Sequence, residues 1–168
     1  MPQTPPPPTS APDAAWPPDT GPELAFVARM WADDGCSRGL GMRVVEVSLH
    51  PGANGSRPLG SATLTMTVTE SMVNGHDIAH GGFIFTLCDS AFAVACNAHG
   101  HLTVAASCDI DFVAPARLGD ELVARAAESA GYGRNGITEV TVHRATDEAL
   151  IAVFRGRSRT LTRPNPGS

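Results

Sequence analysis

The chain contains no lysine, and all twelve of its basic residues are arginines. A Schiff-base mechanism, which needs a lysine amine, is thereby excluded. Aromatic residues make up only 5%, too few for a platform on which nucleic-acid bases stack. The net charge of −5 also argues against a nucleic-acid binder, which is usually basic. None of the four cysteines (Cys36, Cys88, Cys96, Cys108) falls in a C-x-x-C pair. Cys88 and Cys96 lie in an apolar run, so they read as buried free thiols of a reducing compartment. No basic segment followed by an apolar core marks a secretory leader, and no apolar run approaches the ~18 residues of a membrane span. The expected protein is cytoplasmic, with neither nucleic acid nor membrane as a partner.

What is present suits one globular domain. The 168 residues are 42% hydrophobic and 17% charged, enough to bury a sizeable core. Nine of the fourteen prolines lie in residues 1–22, a composition that predicts a disordered tail. Residues 163–168 read as a second tail, which leaves 23–162 as the folded domain. Pro22-Glu23 opens a helix with a proline and an acid in its first turn. Leu24, Phe26, Val27, Met30 and Trp31 give that helix an apolar stripe, and Gly35 is its expected end. Two strands follow, over 42–50 and 59–69. In the second, Ala62, Leu64, Met66 and Val68 share one side and threonines the other.

After a polar loop (70–79) comes His80-Gly81-Gly82 and a run, Phe83 to Asn97, that is apolar on nearly every side. Its length, its alanines and its Gly-Gly start favour a buried helix, ended by Gly100. Four strands are expected after it, over 102–113, 121–130, 136–144 and 149–161, with breaks at Pro115, Gly119, Gly131, Gly133 and Thr146-Asp147. Short connections imply antiparallel pairing. The economical arrangement is an α+β fold in which one curved antiparallel sheet wraps around the buried helix.

The chemistry concentrates around that helix. Asp89 lies near its middle among Leu87, Cys88, Ala91 and Phe92, with no arginine within a helical turn. Burying an ionised carboxylate without a partner costs several kcal/mol, and desolvation raises its pKa towards the range useful to a base or nucleophile. Pairing with a distant arginine, or capping a neighbouring loop, is the alternative. Gly81 and Gly82 sit where the helix begins, where free N–H groups and the helix dipole suit an anionic oxygen; tight helix packing would explain the same glycines. Gly82 and Asp89 share a helix face but stand about 10 Å apart along the axis at ~1.5 Å per residue. One reacting carbonyl cannot touch both. If both act together, Asp89 of one chain meets the glycines of another, in a two-fold dimer with composite sites.

Asn74, His80-Gly81-Gly82 and Asp89, set in F-x-L-x-D-x-A-F-A-x-A-x-N, resemble the phenylacetate-degradation (PaaI) family of hotdog-fold acyl-CoA thioesterases. The resemblance spans roughly residues 39–160. D-I-D-F-V-A-P-A-R-L-G-D at 109–120 and G-Y-G-R-N at 131–135 match more loosely. It implies hydrolysis of acyl-CoA thioesters, phenylacetyl-CoA and its ring-hydroxylated relatives above all, in a homotetramer built as a dimer of dimers. Asp89 would be nucleophile or general base. Gly81 or Gly82 would polarise the carbonyl, Asn74 would orient water or carbonyl, and His80 would hold the loop. No metal or redox cofactor is implied, and CoA arrives as part of the substrate.

The substrate-binding candidates are Ser90, Arg117, Arg134, Asn135, Arg155 and Arg157. Ser90 adjoins Asp89 and could orient water, or pack as a helix hydroxyl. Arg155, Arg157 and Arg159 recur at period two on one strand face. With Arg117 or Arg134 they could hold the CoA phosphates; equally, they could blunt an edge strand. His76 and His80 are four apart and His99 and His101 two apart, but no H-E-x-x-H accompanies them, so no metal site is expected. Two other functions fit the same fold: a hotdog enoyl-CoA hydratase or dehydratase, for which the D-x-N-P-x-H type of loop is missing, and a non-catalytic acyl-CoA-binding protein.

Overall fold

The computed structural model describes residues 16–17, 20–52 and 57–161. Most of the two expected tails lies outside the described residues. Within the N-terminal one, however, Trp16 rests partly buried against the core, its indole N–H donating to Thr20 Oγ1 at 2.8 Å.

Two short helices precede the sheet. A 3-10 turn at Pro22–Leu24 leads into α1 (Ala25–Ala32), which buries Val27 and Trp31. The helix stops before Gly35, contrary to the sequence expectation. Asp34 is extended and its carboxylate caps the N–H of Ser37, so Gly35 becomes the first residue of a second helix, α2 (Gly35–Gly39). A good N-cap two residues after Ala32 outcompetes continuation of α1.

The six strands form one antiparallel sheet in the order β1-β2-β4-β5-β6-β3. They are β1 (Arg43–His50), β2 (Leu59–Thr67), β3 (Thr103–Phe112), β4 (Glu121–Tyr132), β5 (Asn135–Arg144) and β6 (Leu150–Thr160). The long helix α3 (Gly81–Asn97) packs against one face of the sheet. Alternation decides which side chains meet it. Ala62, Leu64 and Met66 of β2, Leu122, Ala124 and Ala126 of β4, Val140 and Val142 of β5, and Phe154 of β6 are all buried. Phe92 of α3 packs on Phe154, ring centroids 6.0 Å apart. This is the hotdog architecture expected from the sequence. No helix among the described residues is long and apolar enough to cross a membrane.

Two contacts show how tightly the sheet grips the helix. A Cβ added at Gly60 would overlap the Ala95 carbonyl oxygen of α3, and one at Gly156 would come within 2.6 Å of the Phe92 ring. Only glycine lets strand backbone approach that closely. The opposite holds at β3. This edge strand fully buries only Thr103, and Val104, Phe112 and the following Val113 are 39%, 54% and 56% exposed.

Candidate active site

The loop before α3 is held by its own polar groups. Asn74 Oδ1 accepts from His76 N at 2.9 Å, its N–H donates to Ile78 O, and its carbonyl accepts from Asp77 N. Asp77, at φ 58°, makes the reversal, in a conformation asparagine and aspartate tolerate better than most residues. Ala79 N donates to Ala116 O and His80 N to Met72 O, tying the loop to the segment after β3. His80 is the N-cap of α3, with φ −63° and ψ 129°.

The two glycine amides then differ. His80 Nδ1 accepts from Gly82 N at 3.2 Å, so that donor is already engaged. Gly81 N is the first helical amide and has no partner among the described residues. It borders a cleft of about 590 Å³ lined by Asn74, Ile78, Gly81 and Ile84 on one side and by Phe112 to Ala116 on the other. The Phe112 ring stands over Gly81, where an added Cβ would come within 2.9 Å of it. A volume of this size suits a small-molecule ligand. A smaller hollow of about 390 Å³, lined by His80, Gly82, Phe83 and Thr86, lies at the same helix start.

Asp89 lies eight residues on, about 12 Å along the axis at ~1.5 Å per residue, and lines neither hollow. It is half-buried, and no described residue donates a hydrogen bond or an ion pair to it. Burial pushes its pKa up, and the negative charge of Asp34 pushes it in the same direction. The thiols around it stay protonated. Cys88, fully buried, is pushed to about 12 by desolvation and then by Asp89, and Cys108 on β3 is also raised. Cys88 is thus no nucleophile.

Asp34 and Ser37 escaped the sequence reading. Ser37 Oγ donates to Asp34 Oδ2 at 2.6 Å and lies 2.8 Å from Ser90 Oγ. Asp-x-x-Ser is itself a legible N-cap pattern, but nothing local says that it docks on a residue 53 positions later.

The remaining candidates scatter. Arg155 pairs with Glu139 at 2.5 Å and Arg157 with Asp109 at 2.7 Å, both exposed and alternating with the inward-facing Phe154, Gly156 and Ser158. Arg117 lies next to the cleft-lining Ala116, its Nη1 donating to Asp77 O at 3.5 Å. Arg134 lies in the β4–β5 turn, where its carbonyl oxygen accepts from Thr160 N, and Asn135 opens β5 opposite Tyr132. Among the described residues no three potential metal ligands come together; His99 and His101 lie Nδ1 to Nδ1 at 3.3 Å.

Residues 76–151 match the model of the thioesterase superfamily. The chain is 36% identical over 132 residues to the acyl-coenzyme A thioesterase PaaI of Escherichia coli strain K12, covering 79% of this chain and 86% of that protein. A solved structure of the E. coli PaaI protein superposes with a TM-score of 0.73 at 34% identity, covering 83% of this chain and 94% of the other. A mutant of the phenylacetic acid degradation protein PaaI from Thermus thermophilus superposes with a TM-score of 0.64 at 34% identity, covering 74% and 97%.

Proposed function

Because the chain belongs to the PaaI family of hotdog acyl-CoA thioesterases, we propose that it hydrolyses aryl-acetyl and medium-chain acyl-CoA thioesters, phenylacetyl-CoA foremost, at sites shared between two copies. The carrying observation is the separation of two unpartnered groups. Asp89 is half-buried with no cation paired to it among the described residues, Gly81 N–H opens on an apolar cleft, and the two lie too far apart on one helix to meet on one carbonyl. A two-fold axis brings one chain's acid to the other's amide. The exposed β3 edge, with Val104 and Phe112, is a surface that a second copy would cover. Assembly of two such dimers into a tetramer follows the family resemblance, and location in the cytoplasm follows the free cysteines expected of a reducing compartment.

In this reading Ile78, Ile84, Phe112 and Val113 hold the acyl group, and Gly81 N–H donates to the thioester carbonyl, strengthening as that oxygen becomes negative. Asp89 of the other chain takes a proton from water as the water oxygen bonds to the carbonyl carbon. The C–S bond then breaks, and the CoA sulfur leaves with the proton held by Asp89. Free acid and CoA result, with no metal or redox cofactor. Asn74, whose amide nitrogen has no partner among the described residues, orients the carbonyl or the water. His80 holds Gly82 and so fixes the helix start. Arg117 at the cleft mouth is better placed for the CoA phosphates than Arg155 and Arg157, which already pair with carboxylates on the sheet's outer face.

Hydrolysis of phenylacetyl-, benzoyl- and straight-chain acyl-CoAs, measured as thiol release, tests the proposal. Turnover of the aryl-acetyl esters that disappears in Asp89→Asn supports it. A folded Asp89→Asn that retains most activity, or tight binding without turnover across the panel, overturns it.

A further inference from the structure

The catalytic reading leaves one hydrogen-bonded chain beside Asp89 without a task. Asp34 Oδ1 accepts from Ser37 N at 3.0 Å, and Oδ2 accepts from Ser37 Oγ at 2.6 Å. Ser37 is 1% exposed. Its Oγ lies 2.8 Å from Oγ of Ser90, the residue that follows Asp89 on α3.

The direction of the protons follows from the chemistry of the end group. A carboxylate only accepts. Ser37 therefore gives its single hydroxyl proton to Asp34, and must accept from Ser90. The one proton of Ser90 is then committed, and Ser90 turns only lone pairs to whatever else reaches it. It can accept from a water but cannot donate to a thioester carbonyl or sulfur.

We propose that Asp34, acting through Ser37 and Ser90, is a positioning residue for the water that attacks the thioester. The proposal rests on the reading of Asp89 as the catalytic carboxylate. A water that gives one proton to Asp89 and the other to Ser90 Oγ keeps its oxygen lone pair for the carbonyl carbon. The chain runs from a half-buried cap through two hydroxyls, the first of them buried, so the acceptor is fixed before substrate arrives.

Asp34 also acts on Asp89 by charge. The titratable groups around Asp89 are Cys88 and Cys96 on its own helix, Cys108 on β3, and Asp34 at the start of α2. Cys88 and Cys96 are held protonated at about 12 and Cys108 is also raised. The negative charge of Asp34 disfavours the ionised form of Asp89.

The test uses the full chain, phenylacetyl-CoA or the best substrate of the panel above, and kcat and KM across pH. In Asp34→Asn the amide oxygen can still cap Ser37 N, but its NH₂ donates to Ser37 Oγ and reverses the chain. The expected result is a kcat lower by about tenfold, as for a misplaced nucleophile, a KM changed less than about twofold, and an acid limb moved to lower pH. Ser37→Ala breaks the chain but leaves the charge, so kcat falls similarly and the acid limb stays. Thermal melting reports whether each variant folds; if Asp34→Asn does not, Ser37→Ala decides. Wild-type kcat in folded Ser37→Ala, or an unmoved acid limb in folded Asp34→Asn, overturns the inference. Active Asp89→Asn would instead refute the reading on which it rests; inactive Asp89→Asn beside normal Asp34 and Ser37 variants would refute this inference alone.

Discussion

Two carboxylates meet the α3 core, and their surroundings differ in almost every respect. Near the C-terminal end of the helix, Glu128 has a side chain with no exposed surface. Arg57 grips it from two nitrogens, at 2.8 and 2.5 Å, and Gly60 N donates to it at 3.3 Å. The same end is tied by Asn97, which donates to Ala93 O and Thr103 O and accepts from Thr103 N. Asp89, in the middle of the helix, has none of this among the described residues: no cation, no donor, and a second acid nearby. A buried acid matched by an arginine fork is a structural joint. An acid left half-buried without one retains a reason to react, because its ionised form is poorly stabilised and it is free to take up a proton. The contrast is what makes Asp89, rather than the more deeply buried Glu128, the candidate for chemistry.

The comparison is broken most severely by exchanging the acids for amides. Asp89→Asn is expected to lower kcat by ~10²-fold or more, the scale of a general base, while the protein remains folded; thiol release measures it. Gly81→Pro attacks the other half of the site. Proline suits the first helical position, and His80 already has the extended ψ that a following proline requires. The substitution deletes the N–H, keeps the helix start and presses a Cβ to within 2.9 Å of the Phe112 ring, so kcat should fall by about 10²-fold or more, the scale of a lost oxyanion donor. Glu128→Gln should do the reverse. Leaving Arg57 without its carboxylate costs about 3 kcal/mol of stability, seen in denaturant unfolding, with kcat unchanged in the protein that remains folded.

The smallest effect separates the two acids most finely. The pKa of Asp89 in the folded chain is raised by burial and by Asp34. The folded state therefore holds this proton more tightly than the unfolded chain. Stability is greatest below the unfolded carboxylate pKa and declines as pH rises through the folded value. Asp89→Asn should accordingly raise the melting temperature at neutral pH, by about 2–4 °C per kcal/mol relieved, and the gain should vanish in acid. In the wild type, kcat/KM should rise with pH through a limb lying above the ordinary carboxylate range.

Most of the fold was legible because burial imposes periods that a sequence displays. Ala62, Leu64, Met66 and Val68 alternate along β2 and its continuation, and all four are buried. The run from Phe83 to Asn97 is apolar all round because sheet covers much of it, and α3 ends at Asn97 as expected. The break between α1 and α2 was missed because Gly35 resembles a helix stop, whereas the Asp34 cap turns it into a start.

The site was legible only where it is local. Asp89, Gly81 and Asn74 lie within 16 residues, and the structure places Gly81 and Asn74 on one cleft. Which glycine amide is open depends on the rotamer of His80, whose Nδ1 engages Gly82. The partners of Arg155 and Arg157 depend on strand register, which sets both Glu139 and Asp109 opposite Arg155 and leaves Arg157, opposite Ser107, to reach Asp109 diagonally. Neither fact has a local signature. The contact of Ser37 with Ser90 likewise depends on where the two helices dock.

The central claim is that one chain's Asp89 works with another chain's Gly81, and mixing two dead variants tests it most directly. Asp89→Asn and Gly81→Pro are unfolded together, refolded together and assayed for hydrolysis. In a mixed dimer one composite site carries both lesions and the other carries neither. With random pairing, half the dimers are mixed and half their sites intact, so about a quarter of wild-type activity should return. If the mixture assembles and remains as inactive as its components, the two residues do not act across the interface and the shared-site account is wrong.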